Sequence, residues 1–186
     1  MNIIGIIPAR LASSRFPNKP LTKILGIPMI GHVYLRSKMC KELMDVYVAT
    51  CDNEIRAYIE SIGGKAVMTS DTHKRASERT AEAIRKIEEL TGQAFDFVVM
   101  IQGDLPSIVP EVIDQLISPL QSDPNLKVID MISQIQSEKE FESANNVKVV
   151  MDLNDFAMYY SREPIPSKKK YSGSVPMRRQ PGLILF

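Results

Sequence analysis

The sequence predicts an α/β fold with a mixed, mostly parallel sheet. Short apolar runs, each the length of a buried strand, recur along the chain, and helix-like segments separate the first four of them. Parallel strands need crossover connections of that kind. After residue 147 the runs follow one another closely, which predicts an antiparallel or hairpin-rich addition. The length of 186 residues suits one compact domain that hides roughly 70% of its unfolded surface.

Taken in order, Ile3 to Ile7 opens the sheet, and Pro28 starts a helix over Met29 to Cys40. Val46 to Thr50 is the second strand, and Asp52 precedes a helix over Asn53 to Ser61. Ala66 to Met68 is a short third strand. Ser77 to Leu90 is helical, with Ala83, Ile84, Ile87 and Leu90 on one apolar stripe. Phe95 to Ile101 is the fourth strand, and Pro110 opens a helix reaching about Leu120. Val128 to Ile132, Val147 to Met151 and Phe156 to Tyr160 are further strands, the last expected to split Tyr159 and Tyr160 between core and surface. Leu183 to Phe186 is a strand-like run with no polar tail, which reads as a domain cut short.

Composition removes several function classes. With 44% hydrophobic and 24% charged residues the chain is neither a disordered nor a collagen-like polypeptide. A net charge of +1 argues against a nucleic-acid partner, and aromatics at 6% provide no stacking platform for single strands. Two cysteines, Cys40 and Cys51, lack metal-ligand spacing and predict a cytoplasmic protein; no apolar run reaches the ~20 residues of a membrane span.

The charge is nevertheless polarised. From Met1 to Lys41 there is no acid, yet Arg10, Arg15, Lys19, Lys23, Arg36, Lys38 and Lys41 lie there. Three of these cations fall in the loop Pro8 to Pro20, which leaves the carboxyl end of the first strand, where open α/β sheets bind ligands. Ala12, Ser13 and Ser14 allow backbone and hydroxyl donors close to an anion, and Arg15 and Lys19 supply charge for a polyphosphate. Neither a Walker loop nor GxGxxG is present. The fourth strand delivers Gln102, Gly103 and Asp104 to the same edge, where one carboxylate suits Mg²⁺ shared with substrate phosphates. Elsewhere, His32 reads as a packing residue, the ten methionines as adaptable core filler, and Lys168 to Lys170 with Arg178 and Arg179 as a solvated loop.

Ile7-Pro-Ala-Arg-Leu-Ala-Ser-Ser-Arg-Phe-Pro-Asn-Lys-Pro-Leu21, Gly26 to Ile30, Val48-Ala-Thr-x-Asp52, Gly63-Gly64, Met68 to Asp71, His73 to Arg79, Gln102-Gly-Asp-x-Pro106, Val147 to Val150 and Ser161-Arg-x-Pro-Ile-Pro166 occur in that order. This series resembles the 3-deoxy-manno-octulosonate cytidylyltransferases over nearly the whole chain. The resemblance implies a nucleotidyltransferase-like (Rossmann-like) three-layer fold, CTP and an acidic sugar as substrates, Mg²⁺ as cofactor and a homodimer. It implies that Arg10, Ser13, Arg15 and Lys19 form the nucleotide-phosphate loop, that Ser77 and Arg79 lie near the nucleotide, that Gln102 and Arg162 touch the sugar, and that Asp104 holds the metal. Catalysis would rest on Arg10, Arg15, Lys19 and Asp104. The chain departs from the family pattern at Arg75, Ala76 and Ser77, where Ser-Gly-Thr is usual, at Leu105 in place of glutamate, and at Gln180 in place of histidine. Members of the family continue past Phe186 with a second metal aspartate. A relative that binds nucleotide or sugar without efficient turnover is therefore the competing expectation.

Overall fold

The computed structural model describes residues 1–12, 16–169 and 175–186. Strand β1 (Ile3–Ala9) leads through a short 3-10 turn at Lys19–Leu21 to the small hairpin β2 (Lys23–Ile24) and β3 (Ile27–Pro28). There follow α1 (Met29–Ser37), β4 (Asp45–Thr50), α2 (Asn53–Ser61), β5 (Lys65–Met68), α3 (Ala76–Thr91) and β6 (Phe97–Ile101). Next come α4 (Pro110–Ile117), α5 (Pro119–Ser122), β7 (Ile129–Asp130), β8 (Ser133–Gln134) and α6 (Glu138–Glu142). The chain ends with β9 (Val147–Met151), β10 (Ala157–Ser161), β11 (Arg178–Gln180) and β12 (Leu183–Leu185). Two compact units result: Met1–Ile129 with Leu183–Phe186, and Asp130–Gly182.

In the first unit the sheet runs β5-β4-β1-β6-β12. Strands β5, β4, β1 and β6 are parallel, as the helical connections between them require. Every residue of β1 is buried, the pattern of a central strand covered on both faces. Ile4, Ile6, Ala49, Val67 and Val98 form one core cluster with Ala83 and Ile87 of α3. Gly5 points the other way, towards Leu43, Val46 and Ile101. On that side α1 packs on α2, with Gly31 against the Tyr58 ring, and on α4. Fully burying each isoleucine stabilises the unit by about 1.5–3 kcal/mol. Among the described residues no helix is long and apolar enough to cross a membrane.

Several elements differ from the sequence reading. The first helix stops at Ser37, three residues before Cys40, and the helix opened by Pro110 breaks at Ser118 because Pro119 cannot continue it. The expected strand Val128 to Ile132 shrinks to Ile129–Asp130. Leu90 is 79% exposed, so the buried stripe of α3 is Arg79, Thr80, Ala83 and Ile87, shifted towards its amino end. The final run pairs antiparallel with β6, Leu183 opposite Ile101 and Leu185 opposite Val99.

The second unit is an antiparallel sheet in the order β10-β9-β11-β8, matching the predicted addition. Arg178 and Arg179 lie in β11 and are half-buried, not part of a solvated loop. Tyr159 and Tyr160 are both exposed, because β10 is an edge strand that no core covers on either face among the described residues. Lys148 on β9 is fully buried; its Nζ donates to the carbonyls of Ser143 (2.9 Å), Asn146 (3.0 Å) and Arg162.

Candidate nucleotide-phosphate site

The site follows from the pairing of β1 with β6, Ile3 opposite Phe97 and Ile6 opposite Met100. Continued past the end of β6, this register brings Pro8, Ala9 and Arg10 level with Gln102, Gly103 and Asp104. Gly103 is what lets the two segments close up. A Cβ there would stand 3.1 Å from the Pro8 carbonyl oxygen and 3.3 Å from Ile30 Cδ1. The missing side chain thus admits the neighbouring backbone.

A cavity of about 360 Å³ opens at this carboxyl edge. Its wall comprises Pro8, Ala9 and Arg10 at the end of β1, Ala12, Lys19 and Pro20 of the basic loop, Met29, the β5–α3 connection with Arg79, and Gln102 to Asp104. Arg10, Lys19, Lys74, Arg75 and Arg79 make five cations on this wall, and Asp104 is the only carboxylate among the described lining residues. Lys19 is presented by the 3-10 turn, and its Nζ donates to Asp104 Oδ2 at 2.8 Å. The basic loop is anchored by the Leu11 N–H donating to Asp52 Oδ2 at 2.8 Å.

Arg79 carries the sharpest electrostatic signal. Its side chain is 3% exposed, Nη1 donates to Thr69 Oγ1, and Nη2 is buried with no partner among the described residues. A buried guanidinium without a counter-carboxylate is costly unless an anion completes it. The connection before α3 is fixed from the helix: Glu78 Oε2 accepts from the Lys74 and Arg75 N–H groups at 3.1 and 3.0 Å. Those backbone donors hold its carboxyl below the usual range.

The structure therefore gathers Arg10, Lys19, Arg79, Gln102 and Asp104 around one cavity. Ser77 is exposed on the first turn of α3 and is not a lining residue. Arg162 belongs to the second unit, where its Nη1 donates to the Ala144 carbonyl at 2.7 Å. Ser13 and Arg15 lie outside the described residues. Sequence reasoning placed Asp52 before a helix and Lys74 within His73 to Arg79 but gave neither a role of its own; the position of Asp52 two residues past a strand at the ligand edge was the available signal. His32 is half-buried, its Nε2 2.8 Å from the Ile24 carbonyl, consistent with a packing residue.

For a divalent cation the donor set is selective. Among the described residues no group of three or more His, Cys, Asp or Glu could cage a metal. A single carboxylate facing a cationic cavity fits a hard cation that arrives with phosphate oxygens and takes one protein ligand, Asp104.

A near-neutral chain that concentrates five cations at the carboxyl edge of a parallel sheet falls in the class of α/β proteins built to bind phosphate-bearing ligands. A profile of the family described as cytidylyltransferase matches residues 4–181. The 3-deoxy-manno-octulosonate cytidylyltransferase of Thermodesulfovibrio yellowstonii is 45% identical over 168 residues, 89% of this chain and 66% of that protein. The enzyme of that name from Parabacteroides distasonis is 43% identical over 183 residues, covering 95% of this chain and 70% of the relative. A solved CMP:2-keto-3-deoxy-manno-octonic acid synthetase complexed with CTP superposes with a TM-score of 0.90 at 33% identity, over 100% of this chain and 74% of that one. A cytidylyltransferase from Leptospira borgpetersenii shares the fold with a TM-score of 0.59 at 20% identity, over 69% of this chain and 52% of that one. The chain belongs to the cytidylyltransferase family, in its 3-deoxy-manno-octulosonate branch. It spans just under two thirds of the length of the first relatives it matches, 66% and 64%.

Proposed function

We propose that the chain transfers a cytidylyl group from CTP to 3-deoxy-manno-octulosonate, or a closely related acidic sugar, yielding the CMP-sugar and pyrophosphate. The observation that carries the proposal is the cationic cavity with Arg79 in its wall, its Nη2 buried without a partner among the described residues. The names of the relatives and of the CTP-bound neighbour support transfer over binding alone.

In this reading a sugar hydroxyl oxygen attacks the α-phosphorus and the bond to the β-phosphate oxygen breaks. Pyrophosphate leaves with the electron pair, and the hydroxyl proton passes to solvent or phosphate. Arg10, Lys19 and, from the sequence, Ser13 and Arg15 bind the triphosphate and offset charge on the departing pyrophosphate. Arg79 serves the nucleotide, while Gln102 serves the sugar. Mg²⁺ bound by Asp104 and phosphate oxygens would neutralise charge and draw phosphate and hydroxyl together.

Pyrophosphate release from CTP plus 3-deoxy-manno-octulosonate tests the proposal; no release above a no-sugar control sinks it. The Lys19→Ala variant is expected to bind CTP about tenfold or more weakly, having lost a charge-assisted contact and left Asp104 uncompensated beside the phosphates. Calorimetry checks this, and unchanged affinity removes Lys19 from the phosphate site. The preference for CTP over UTP and ATP is read in the same titrations.

The active form proposed is a homodimer in the cytoplasm. Leu153, Phe156, Met158 and Tyr159 on and beside the edge strand β10 are all more than half exposed. An apolar edge strand of this kind is a surface a second copy would cover. Sedimentation should give twice the chain mass for the native protein and the single mass for Met158→Glu. A native monomer at micromolar concentration refutes the dimer. The two free thiols, Cys40 and Cys51, accord with a reducing compartment.

A further inference from the structure

The β5–α3 connection supplies His73, Lys74 and Arg75 to the cavity wall, three positively chargeable side chains in succession beside Arg10 and Arg79. Such a segment resists close placement, because like charges repel at short range. What holds it lies outside the cavity. Glu82, on the second turn of α3, has its side chain 17% exposed and accepts from three donors. The Ser70 N–H donates to Oε2 at 2.9 Å, His73 Nε2 donates to the same oxygen, and Lys86 Nζ donates to Oε1 at 2.7 Å. These donors, Lys86 foremost, pull the carboxyl down to about 2, so it is an ionised acceptor. Within the segment, Ser70 Oγ lies 2.8 Å from Thr72 Oγ1 and accepts from the Thr72 N–H at 3.2 Å. Beyond it, the His73 carbonyl accepts from Arg10 Nη1 at 3.5 Å.

From this chain of contacts we infer that Glu82 is a positioning residue for nucleotide binding: through Ser70 and His73 it fixes the cationic wall and, by the His73 carbonyl, the Arg10 guanidinium. The inference rests on the proposed CTP site. It makes a prediction opposite in sign to simple electrostatics. As a mere charge, Glu82 opposes an anionic ligand, and removing it strengthens binding. As a positioning residue it preorganises the wall, and removing it weakens binding.

The test is calorimetric titration of the whole chain with CTP and, separately, with inorganic tripolyphosphate. Glu82→Ala should weaken both ligands about tenfold, the loss of one charge-assisted contact's worth of order. Glu82→Gln, which keeps an acceptor for Ser70 and His73, should recover most of that loss. His73→Ala should weaken binding as Glu82→Ala does, and the double variant should be no weaker than either single one. Hydrogen exchange at Ser70 should accelerate in Glu82→Ala and not in Glu82→Gln. Equal or tighter binding by Glu82→Ala overturns the inference, as does Glu82→Gln binding no better than Glu82→Ala. If Glu82→Ala does not fold, native-like affinity in His73→Ala overturns it. Native protein that binds tripolyphosphate but not CTP refutes the nucleotide reading while the variants still decide the role of Glu82. Binding of neither ligand by the native protein ends both.

Discussion

Arg79→Met is expected to weaken CTP binding about 100-fold while leaving the folded chain as stable as before, or more so. The two halves of that expectation share one cause. Arg79 is 3% exposed, donates through Nη1 to Thr69, and keeps Nη2 buried without a partner among the described residues. Without ligand the fold bears the desolvation of a guanidinium that no carboxylate within 4 Å offsets among those residues. Methionine is close in shape and brings no charge, so the free protein loses a cost rather than a support. A bound triphosphate, by contrast, meets the guanidinium in a desolvated site where such contacts are strong. Calorimetry and urea unfolding of both forms check the pair of outcomes. Affinity within threefold of native, or a stability loss above about 2 kcal/mol, shows that Arg79 serves the core and not the ligand.

Lys148→Met carries the largest expected effect on stability, a loss of about 3 kcal/mol confined to the second unit. The ammonium is fully buried, burial pushes its pKa down, and three backbone carbonyls from Ser143, Asn146 and Arg162 converge on it. Removing it leaves those acceptors without their donor and releases the turn before β9 from the segment after β10. Hydrogen exchange at residues 143–148 and 161–163 should accelerate while β1 and β6 stay protected. A loss below about 1 kcal/mol with unchanged exchange would show that water replaces the ammonium.

Local pattern made much of this molecule legible. Runs such as Ile3 to Ile7 and Val46 to Thr50 are strands in the structure because a continuous apolar stretch has few other ways to be buried. Arg10, Lys19, Gln102 and Asp104 meet at one edge because parallel strands deliver the residues after them to the same end of a sheet. The failures share a different origin. The stripe through Leu90 followed helical spacing correctly, yet the cover over α3 ends at Ile87 among the described residues, and Leu90 stays in solvent. Tyr159 and Tyr160 alternate as strand residues must, but an edge strand without a core gives alternation nothing to sort.

The sequence by itself determined the order and type of the main elements, the acid-free basic loop, the carboxylate after β6 and, through its ordered motifs, the family. Those properties are written in neighbouring residues: spacing, capping, charge and turn chemistry act over a few positions. Only the tertiary structure decided that Leu183 to Leu185 returns to pair with β6, that Arg79 is buried without a counter-ion among the described residues, and that Glu82 grips the cavity wall through His73. Each of these depends on which surfaces meet once the sheet has closed. Burial and pairing are properties of those distant neighbours, and no local period in a chain records them.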